Sequence, residues 1–233
     1  MITDGLENAY KTKRLLIRAF ENTPRDRTFL HTQIENDPVN VSLSMPTLAR
    51  PRAEKHSEWM AEQLTKAVLS VMLCLAPEPA TTSRDTSGQD QQPPDQAKDD
   101  STPIGYLCLG WGGPPADQAQ HRSVSLGITL AAAYQGQGYG AEAIDWALDW
   151  AFRFGGYHRV SLGTTSFNER AQRLYRKLGF VEEGRAREAH YFDRRWYDMI
   201  SYGMLEGEWE VLRVMKEAPA EDEKSQSVGP QGR

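Results

Sequence analysis

The amino-acid sequence predicts an α/β fold in which helices pack on a mixed β-sheet. Three observations support this prediction. Short runs of apolar and β-branched residues alternate along the chain with segments whose apolar residues recur every three or four positions. A glycine-rich turn joins one predicted strand directly to a helix. The elements follow the order β-α-α-β-β-β-α-β-α-β-β without an internal repeat, so the 233 residues are interpreted as one domain with extra segments.

The first half of the chain contains four predicted strands and two predicted helices. In the first strand, Leu15, Ile17 and Ala19 alternate with Arg14 and Arg18, which is typical of a strand with one buried face. The next two strands are apolar runs on either side of a polar segment, so they are predicted to form a hairpin. The strands are predicted at residues 14–20, 67–76, 104–112 and 123–130, and the helices around residues 24–35 and 52–66.

The second half begins with a predicted helix over residues 138–154. Ile144, Leu148 and Ala151 share one of its faces, and acidic residues line another. A second helix is predicted after Asn168, a good N-cap residue, and it ends before Gly179, a good C′ residue. The remaining predictions are strands at residues 159–165, 180–187 and 191–204, and the second helix at residues 168–178.

Two segments lack the apolar side chains that folding requires. Residues 77–103 contain five prolines and no apolar side chain larger than alanine, so we predict a disordered insertion in the hairpin loop. Residues 217–233 are predicted to form a disordered acidic tail, which leaves residues 1–216 as a single domain. These segments carry net charges of −4 and −2, so the rest of a chain with net charge −5 carries +1. The net charge therefore indicates no particular partner.

The sequence gives little reason to expect a membrane or metal partner. The first residues show no basic segment followed by an apolar one, and the longest apolar run, residues 67–76, is too short to span a bilayer. We therefore expect a cytoplasmic protein, with a nuclear location left open, and no membrane partner. Cys74 and Cys108 lie in apolar strands without metal-ligand spacing, so we expect two buried thiols and no metal.

A loop with three glycines, Gly136, Gly138 and Gly140, joins the fourth strand to the following helix. Uncovered backbone N–H groups at the positive end of a helix dipole favour a phosphate or pyrophosphate. Gly136, Gly138 and Ala141 also fit the dinucleotide pattern G-x-G-x-x-G/A, but the next strand ends without the acid that would bind a ribose. A P-loop is excluded because no lysine follows the last glycine.

The glycine loop and the helix that begins after Asn168, taken in this order along the chain, resemble the two signature segments of the GNAT superfamily of N-acetyltransferases. Residues 35–38, 56–59 and 196–202 further resemble the RimJ/RimL-like branch, which acetylates ribosomal proteins or polyamines. The likeness covers about residues 14–207 and implies a GNAT fold with a mostly antiparallel sheet. The signature residues are Gln135, Gly138 and Gly140 in the first segment, and Asn168, Ala171 and residues 174–180 in the second.

The resemblance implies an acetyl-CoA-dependent N-acetyltransferase in which a primary amine attacks the thioester directly. The acceptor is a protein N-terminus, a polyamine or another small amine; no nucleic acid is expected, and a homodimer is left open. The helix pattern alone predicts that Tyr175 is an aromatic residue that packs on the core. The resemblance implies that it donates a proton or a hydrogen bond to the leaving thiolate. The residues implied to contact the cofactor are Leu130, Gln135, Gly136, Gln137, Gly138, Tyr139, Gly140 and Asn168.

The general base stays unassigned. Many relatives carry a glutamate two residues before the glycine that matches Gly127, but this chain has Ser125, which cannot replace a carboxylate as a base. This difference keeps open a non-catalytic acyl-CoA-binding regulatory module, and a dinucleotide-binding protein is a more distant alternative. Other bases that the sequence offers, besides deprotonation through water, are Glu182, Glu183, His190, Asp193 and Asp198.

Overall fold

A computed structural model describes Thr3 and residues 6–44, 47–76, 101–113 and 117–217 of the protein. Within these ranges the chain forms one sheet of seven strands. The strands are β1 (Leu15–Ala19), β2 (Leu69–Leu75), β3 (Thr102–Leu109), β4 (Ser123–Leu130), β5 (Arg159–Thr165), β6 (Val181–Phe192) and β7 (Arg195–Leu205).

The same ranges contain six α-helices. Two of them continue without a break into π-helical stretches, Leu30–Glu35 after the first helix and Trp150–Phe154 after the fourth. No helix in the described part of the chain is both long and apolar enough to cross a membrane. The helices are α1 (Pro24–Phe29), α2 (Pro38–Ser44), α3 (Glu54–Lys66), α4 (Tyr139–Asp149), α5 (Glu169–Leu178) and α6 (Glu206–Glu217).

The strands lie in the order β1-β2-β3-β4-β5-β7-β6. Strands β4 and β5 are parallel, and all other neighbouring strands are antiparallel, which confirms the predicted mixed and mostly antiparallel sheet. The parallel pairing is short, because residues 123–125 of β4 lie opposite residues 159–161 of β5 and no pairing follows. Beyond that point the two strands separate, although each keeps its neighbour on the other side.

Helices cover both faces of the sheet, and the side chains of the inner strands alternate between two cores. In β2, Leu73 faces the core that contains α4 and α5, whereas Met72 and Cys74 face the core that contains α1 and α3. Cys74 and Cys108 are buried and form no disulfide among the described residues, in agreement with the prediction of two buried thiols. Burial raises the pKa of Cys108 to about 12, so this thiol stays protonated at neutral pH.

The predicted element order lacks two helices that the structure contains. Helix α2 has seven residues, too few for an apolar period, but its start signal is present in the sequence. The Asp37 carboxylate accepts a hydrogen bond from Asn40 N–H at 3.1 Å, and Pro38 occupies the first helical position. Helix α6 packs Trp209 and Leu212 on the core. These two residues are three positions apart, as on one face of a helix, but our prediction assigned no element to this segment.

The predicted gap between the last two strands is wrong. Residues 188–190 belong to β6, which continues to Phe192. The turn lies instead at Asp193 and Arg194, whose φ angles are 46° and 62°. The register of β6 shifts between Ala186 and His190, and this irregularity removes the two-residue period that would mark a continuous strand.

The predicted insertion at residues 77–103 extends three residues too far. Ser101 is buried, and Thr102 and Pro103 begin β3. Pro103 lies opposite Cys74 where the ladder is irregular, a position at which the missing N–H of proline is tolerated. Residues 77–100 and 218–233 of the predicted disordered segments lie outside the described residues, and Glu217 ends α6.

The close approach of β3 to the end of β4 depends on Gly105. A Cβ atom at this position would lie 2.4 Å from Thr129 O, and backbone cannot move aside as a side chain can. We expect Gly105→Ala to lower the free energy of unfolding by about 1–3 kcal/mol in urea titrations. Gly184→Ala is the matched control, because no atom lies within 4 Å of its Cβ position, and its effect should stay within about 0.5 kcal/mol. Equal stability of the two variants would contradict this account.

Candidate active site

The separation of β4 from β5 leaves backbone groups of β4 without a strand partner. Ala131 N–H donates to Ile104 O of β3 at 2.9 Å. Because backbone groups alternate in direction along a strand, the N–H groups of Ile128 and Leu130 point the other way, into the gap. The gap therefore presents two hydrogen-bond donors at the edge of the sheet.

A cavity of about 330 Å³ occupies this gap and is lined by residues of β4, β5 and three helices. Helix α2 borders it on one face, and α4 and α5 border it on the other. Arg170 is the one charged residue among the described residues that line it. The other lining residues are Asn40, Leu43 and Ser44 of α2, residues 126–130 of β4, Gln135, Gly136, Gly138, Gly140 and Ala141 after it, Gly163 and Thr164 of β5, and Asn168, Ala171, Leu174 and Tyr175 at α5.

The glycine loop enters α4 at one end of this cavity. Gly136 and Gly138 have φ angles of 75° and 86°, in the left-handed region that favours glycine, and Gly138 is the N-cap of α4. The N–H groups of residues 138–141 donate no hydrogen bond within the described part of the chain. These are the unpaired donors of a first helical turn, and in a helix of this length they make a candidate anion site.

Arg14, which directly precedes β1, lies against the loop. Its Nη1 donates to Gln137 O at 2.8 Å, and its guanidinium stacks 4.4 Å from the centre of the Tyr139 ring. Its Nε donates to Glu142 Oε2 at 2.7 Å. Partial burial alone would raise the pKa of Glu142, but the hydrogen bonds from Thr12 and Arg14 outweigh it and lower this pKa. The acid in the first turn of α4 is thus ionised and paired with a cation beside the anion site.

The Gln135 carboxamide holds the loop from three sides. Its Nε2 donates to Leu130 O at 2.9 Å and to Asn40 Oδ1 at 2.5 Å, while its Oε1 accepts from Arg170 Nη2 at 2.5 Å. The side chain thereby joins the end of β4, helix α2 and helix α5. Both N–H donors of the side chain and its oxygen serve to fix the loop, while the backbone donors of residues 138–141 stay open to a ligand.

Asn168 performs two structural tasks at the start of α5. Its Oδ1 accepts from Ala171 N–H at 3.2 Å, which confirms the predicted N-cap, and its Nδ2 donates to Leu43 O of α2 at 3.2 Å. The same carboxamide therefore caps one helix and fixes a second helix across the cavity.

Tyr175 of α5 lines the cavity with 8% of its surface exposed. Its ring packs against Phe180 and Tyr202, at centroid distances of 6.1 and 5.7 Å. Its hydroxyl has no hydrogen-bond partner among the described residues. Burial, with a smaller contribution from Tyr202, raises the pKa of Tyr175 to about 12. The hydroxyl is therefore protonated at neutral pH and is available as a donor.

The structure brings seven of the nine predicted site residues to one cavity. Gln137 and Tyr139 are the other two: the Gln137 side chain donates to Ala133 O at 2.7 Å, and the Tyr139 ring stacks against Arg14. Sequence reasoning missed Arg14 and Arg170 as flanking cations and α2 as a wall of the cavity. No local pattern marks the two arginines, whereas the Asp-Pro start of α2 was a usable signal.

None of the alternative bases lines the cavity, as far as the described residues go. The hydrogen bond from Arg159 lowers the pKa of Glu183. The hydrogen bond from Glu188 N–H, together with that from Arg185, lowers the pKa of Asp198. Burial would raise the pKa of Glu182, but Arg176 and Arg185 lower it overall. These three carboxylates are engaged in ion pairs and are poor proton acceptors.

The fold and the site together define an α/β protein with a cavity at an open sheet edge, and comparison with known proteins gives its family. The model of the Acetyltransferase (GNAT) family matches residues 61–180, just over half of the chain. The protein therefore belongs to the GNAT acetyltransferase family, which confirms the resemblance of its two signatures.

The relatives carry N-acetyltransferase names. The chain is 33% identical over 89 residues to spermidine N(1)-acetyltransferase of Vibrio cholerae, covering 38% of this chain and 51% of that protein. It is 29% identical over 84 residues to the ribosomal protein uS5-alanine N-acetyltransferase of Escherichia coli K12, covering 36% and 43%. The chain thus spans about half the length of the curated relatives that it matches.

A solved structure supports the fold over a longer stretch. The crystal structure of spermidine N-acetyltransferase from Vibrio cholerae in complex with CoA and spermine superposes with a TM-score of 0.65 at 21% identity, covering 85% of this chain and 99% of that one. At this identity the likeness concerns the fold.

The loop geometry predicts the effect of replacing Gly138. A side chain there would be strained at φ 86° and would place its Cβ 3.1 Å from Arg14 Nη2, so it would disturb both the donors and the flanking cation. We expect Gly138→Val to weaken CoA binding at least about tenfold in calorimetric titration.

Gly140→Ala serves as the control for this variant. Its Cβ would meet Leu174 and Leu130 at 3.7 and 3.8 Å, which are ordinary contact distances, so affinity should change less than about threefold. Unchanged affinity in a folded Gly138→Val protein would remove the loop from the binding site.

Proposed function

We propose that the protein is an acetyl-CoA-dependent N-acetyltransferase that acts on a primary amine. The observation that supports this most is the cavity between β4 and β5. It brings the unpartnered Tyr175 hydroxyl, the inward N–H groups of Ile128 and Leu130, and the glycine loop to one opening in the sheet. A thioester cofactor needs these three features: a donor for its leaving sulfur, donors for its carbonyl and amides, and an anion site.

The cofactor would bind through groups of the chain that have no other partner. Its pyrophosphate would lie on the N–H groups of residues 138–141, with Arg14 and Arg170 as flanking cations. Its extended pantetheine arm carries amide groups, which would pair with the open edge of β4 as a further strand does. This arrangement points the thioester away from the loop and toward Tyr175.

Catalysis would depend on positioning and on hydrogen bonds to developing charge. The amine nitrogen attacks the thioester carbonyl, the new C–N bond forms, and the C–S bond then breaks to release the CoA thiolate. An inward N–H of β4 would polarise the carbonyl oxygen. Tyr175, with its pKa raised to about 12, holds its proton more firmly than a thiol with a pKa of about 8.5, so it would donate a hydrogen bond to the thiolate.

The acceptor would lose its proton to water. The described lining of the cavity contains no carboxylate or imidazole, and Ser125 occupies the β4 position where many relatives carry a glutamate. Relatives named for spermidine and for a ribosomal protein keep both small amines and protein N-termini as candidate acceptors. We propose a cytoplasmic location for the enzyme.

A transfer assay tests the proposed function directly. The protein is incubated with acetyl-CoA and, separately, with spermidine and with short peptides that have free N-termini, while released thiol is measured and the product is identified by mass. Acetylated amine in stoichiometric amount with the thiol is the expected result. Tight CoA binding without thiol release across a broad amine panel would instead support the non-catalytic acyl-CoA-binding module.

The role of Tyr175 predicts a loss of turnover rather than of affinity. Tyr175→Phe keeps the ring contacts with Phe180 and Tyr202 and deletes a hydroxyl that has no partner among the described residues, so the melting temperature should not fall. We expect kcat to decrease by about 10- to 100-fold, with the Kd for CoA nearly unchanged. Tyr202→Phe is the control, because that ring does not line the cavity. Equal kcat values for wild type and Tyr175→Phe, with chemistry rate-limiting, would refute this role.

A further inference from the structure

Helix α2 is connected to the cofactor loop through one buried side chain. Asn40 is 2% exposed and lines the cavity. Its Oδ1 accepts from Gln135 Nε2 at 2.5 Å, and its Nδ2 donates to Gln33 O at 3.3 Å, in the π-helical stretch that extends α1. A single carboxamide thus joins the glycine loop, α2 and the helix before it.

This connection sets the position of one wall of the cavity. Leu43 and Ser44, one turn after Asn40, line the cavity on the face of the sheet opposite to α4 and α5. Ser44 Oγ donates to Asn40 O at 2.6 Å, and Asn168 Nδ2 holds Leu43 O at 3.2 Å. A shift of α2 relative to the loop would therefore widen or narrow the cavity beside β4.

The loop does not need Asn40 to keep its own shape. Gln135 retains its hydrogen bonds to Leu130 O at 2.9 Å and from Arg170 at 2.5 Å when the Asn40 side chain is removed. Loss of Asn40 would release α2 from the loop while the loop stays fixed to β4 and α5. The anion site and the α2 wall are thus separable by a single substitution.

We propose that Asn40 is a positioning residue that couples the cofactor loop to α2, so that cofactor bound at the loop fixes the wall against which the acceptor amine binds. The inference rests on the proposed function, which assigns the loop to the cofactor. The inference adds that the acceptor binds on the α2 side of the cavity. Asn40 acts through α2 and Gln135, and no chemical step passes through it.

Amide hydrogen exchange of α2 tests the coupling without any turnover. In the wild-type protein, CoA should slow exchange in residues 38–44, because a loop held by its ligand also holds Asn40. In Asn40→Ala, CoA should bind within about twofold of the wild-type Kd, measured by calorimetry, but the slowing in α2 should be lost. Ser42→Ala is the control, since Ser42 Oγ bonds only Pro38 O of the same helix, and it should behave as wild type.

Steady-state kinetics give the second readout. Asn40→Ala should raise the acceptor KM about fivefold or more, the loss expected for one buried hydrogen bond, and leave the KM for acetyl-CoA nearly unchanged. Asn40→Asp keeps an oxygen for the Gln135 amide and should restore the slowed exchange, which guards against a general folding defect in the alanine variant.

The outcomes separate this coupling from the proposed function. Equal CoA protection of α2 in wild type and in folded Asn40→Ala would overturn the coupling while transfer activity stands. Slowed exchange in Asn40→Asp but not in Asn40→Ala would assign the coupling to the bond with Gln135, because both variants lose the bond to Gln33 O. Absence of CoA binding to the wild-type protein would overturn the proposed function first, and the coupling with it.

Discussion

The separation of β4 from β5 is the constraint on which the rest of this structure depends. The two strands are the one parallel pair among the described strands, and they pair over three residues each. Beyond that point the backbone groups of β4 alternate, so that every second residue bonds to β3 and the residues between them face a cavity. If β4 and β5 paired along their whole length, more backbone N–H and C=O groups would be hydrogen-bonded. The open edge leaves these groups without a strand partner, and a bound ligand would restore the hydrogen bonds. Gly105 lets β3 follow the end of β4 closely and thereby supports that open edge.

Carboxamide side chains hold this opening in shape. Gln135 and Asn168 belong to the two signature segments, and each reaches across to α2, from the loop and from the start of α5. Their side chains are used by the protein itself, whereas the backbone of the loop keeps its donors free. An amide has both donor and acceptor atoms and no charge, so it connects several buried segments without the desolvation cost of an ion pair.

The electrostatics of the cavity fit a reaction that depends on how the reactants are positioned. Its described lining is neutral apart from Arg170, and the acids nearby are paired with arginines. Burial makes the Tyr175 hydroxyl a weaker acid than a thiol, so it keeps its proton and is suited to stabilise a thiolate by hydrogen bonding. In the proposed reaction the protein would offer its reactants donors and a shape, and the amine would lose its proton to water.

The sequence by itself determined the fold class, the strands β4 and β5 to the residue, the position of the glycine loop before α4, the capped helix α5 and the family. These features are local, because neighbouring residues along the chain specify a period of two or of 3.6 residues, a helix cap, or a glycine with positive φ. Arg14 lies 128 positions from Glu142, and Asn40 lies 95 positions from Gln135, so no local pattern could pair them. Helix α2 is too short to show a period, and the irregular register of β6 conceals its length. Only the tertiary structure decided which of the predicted residues face the cavity and which side chains hold it open, because those contacts arise where distant segments pack against one another.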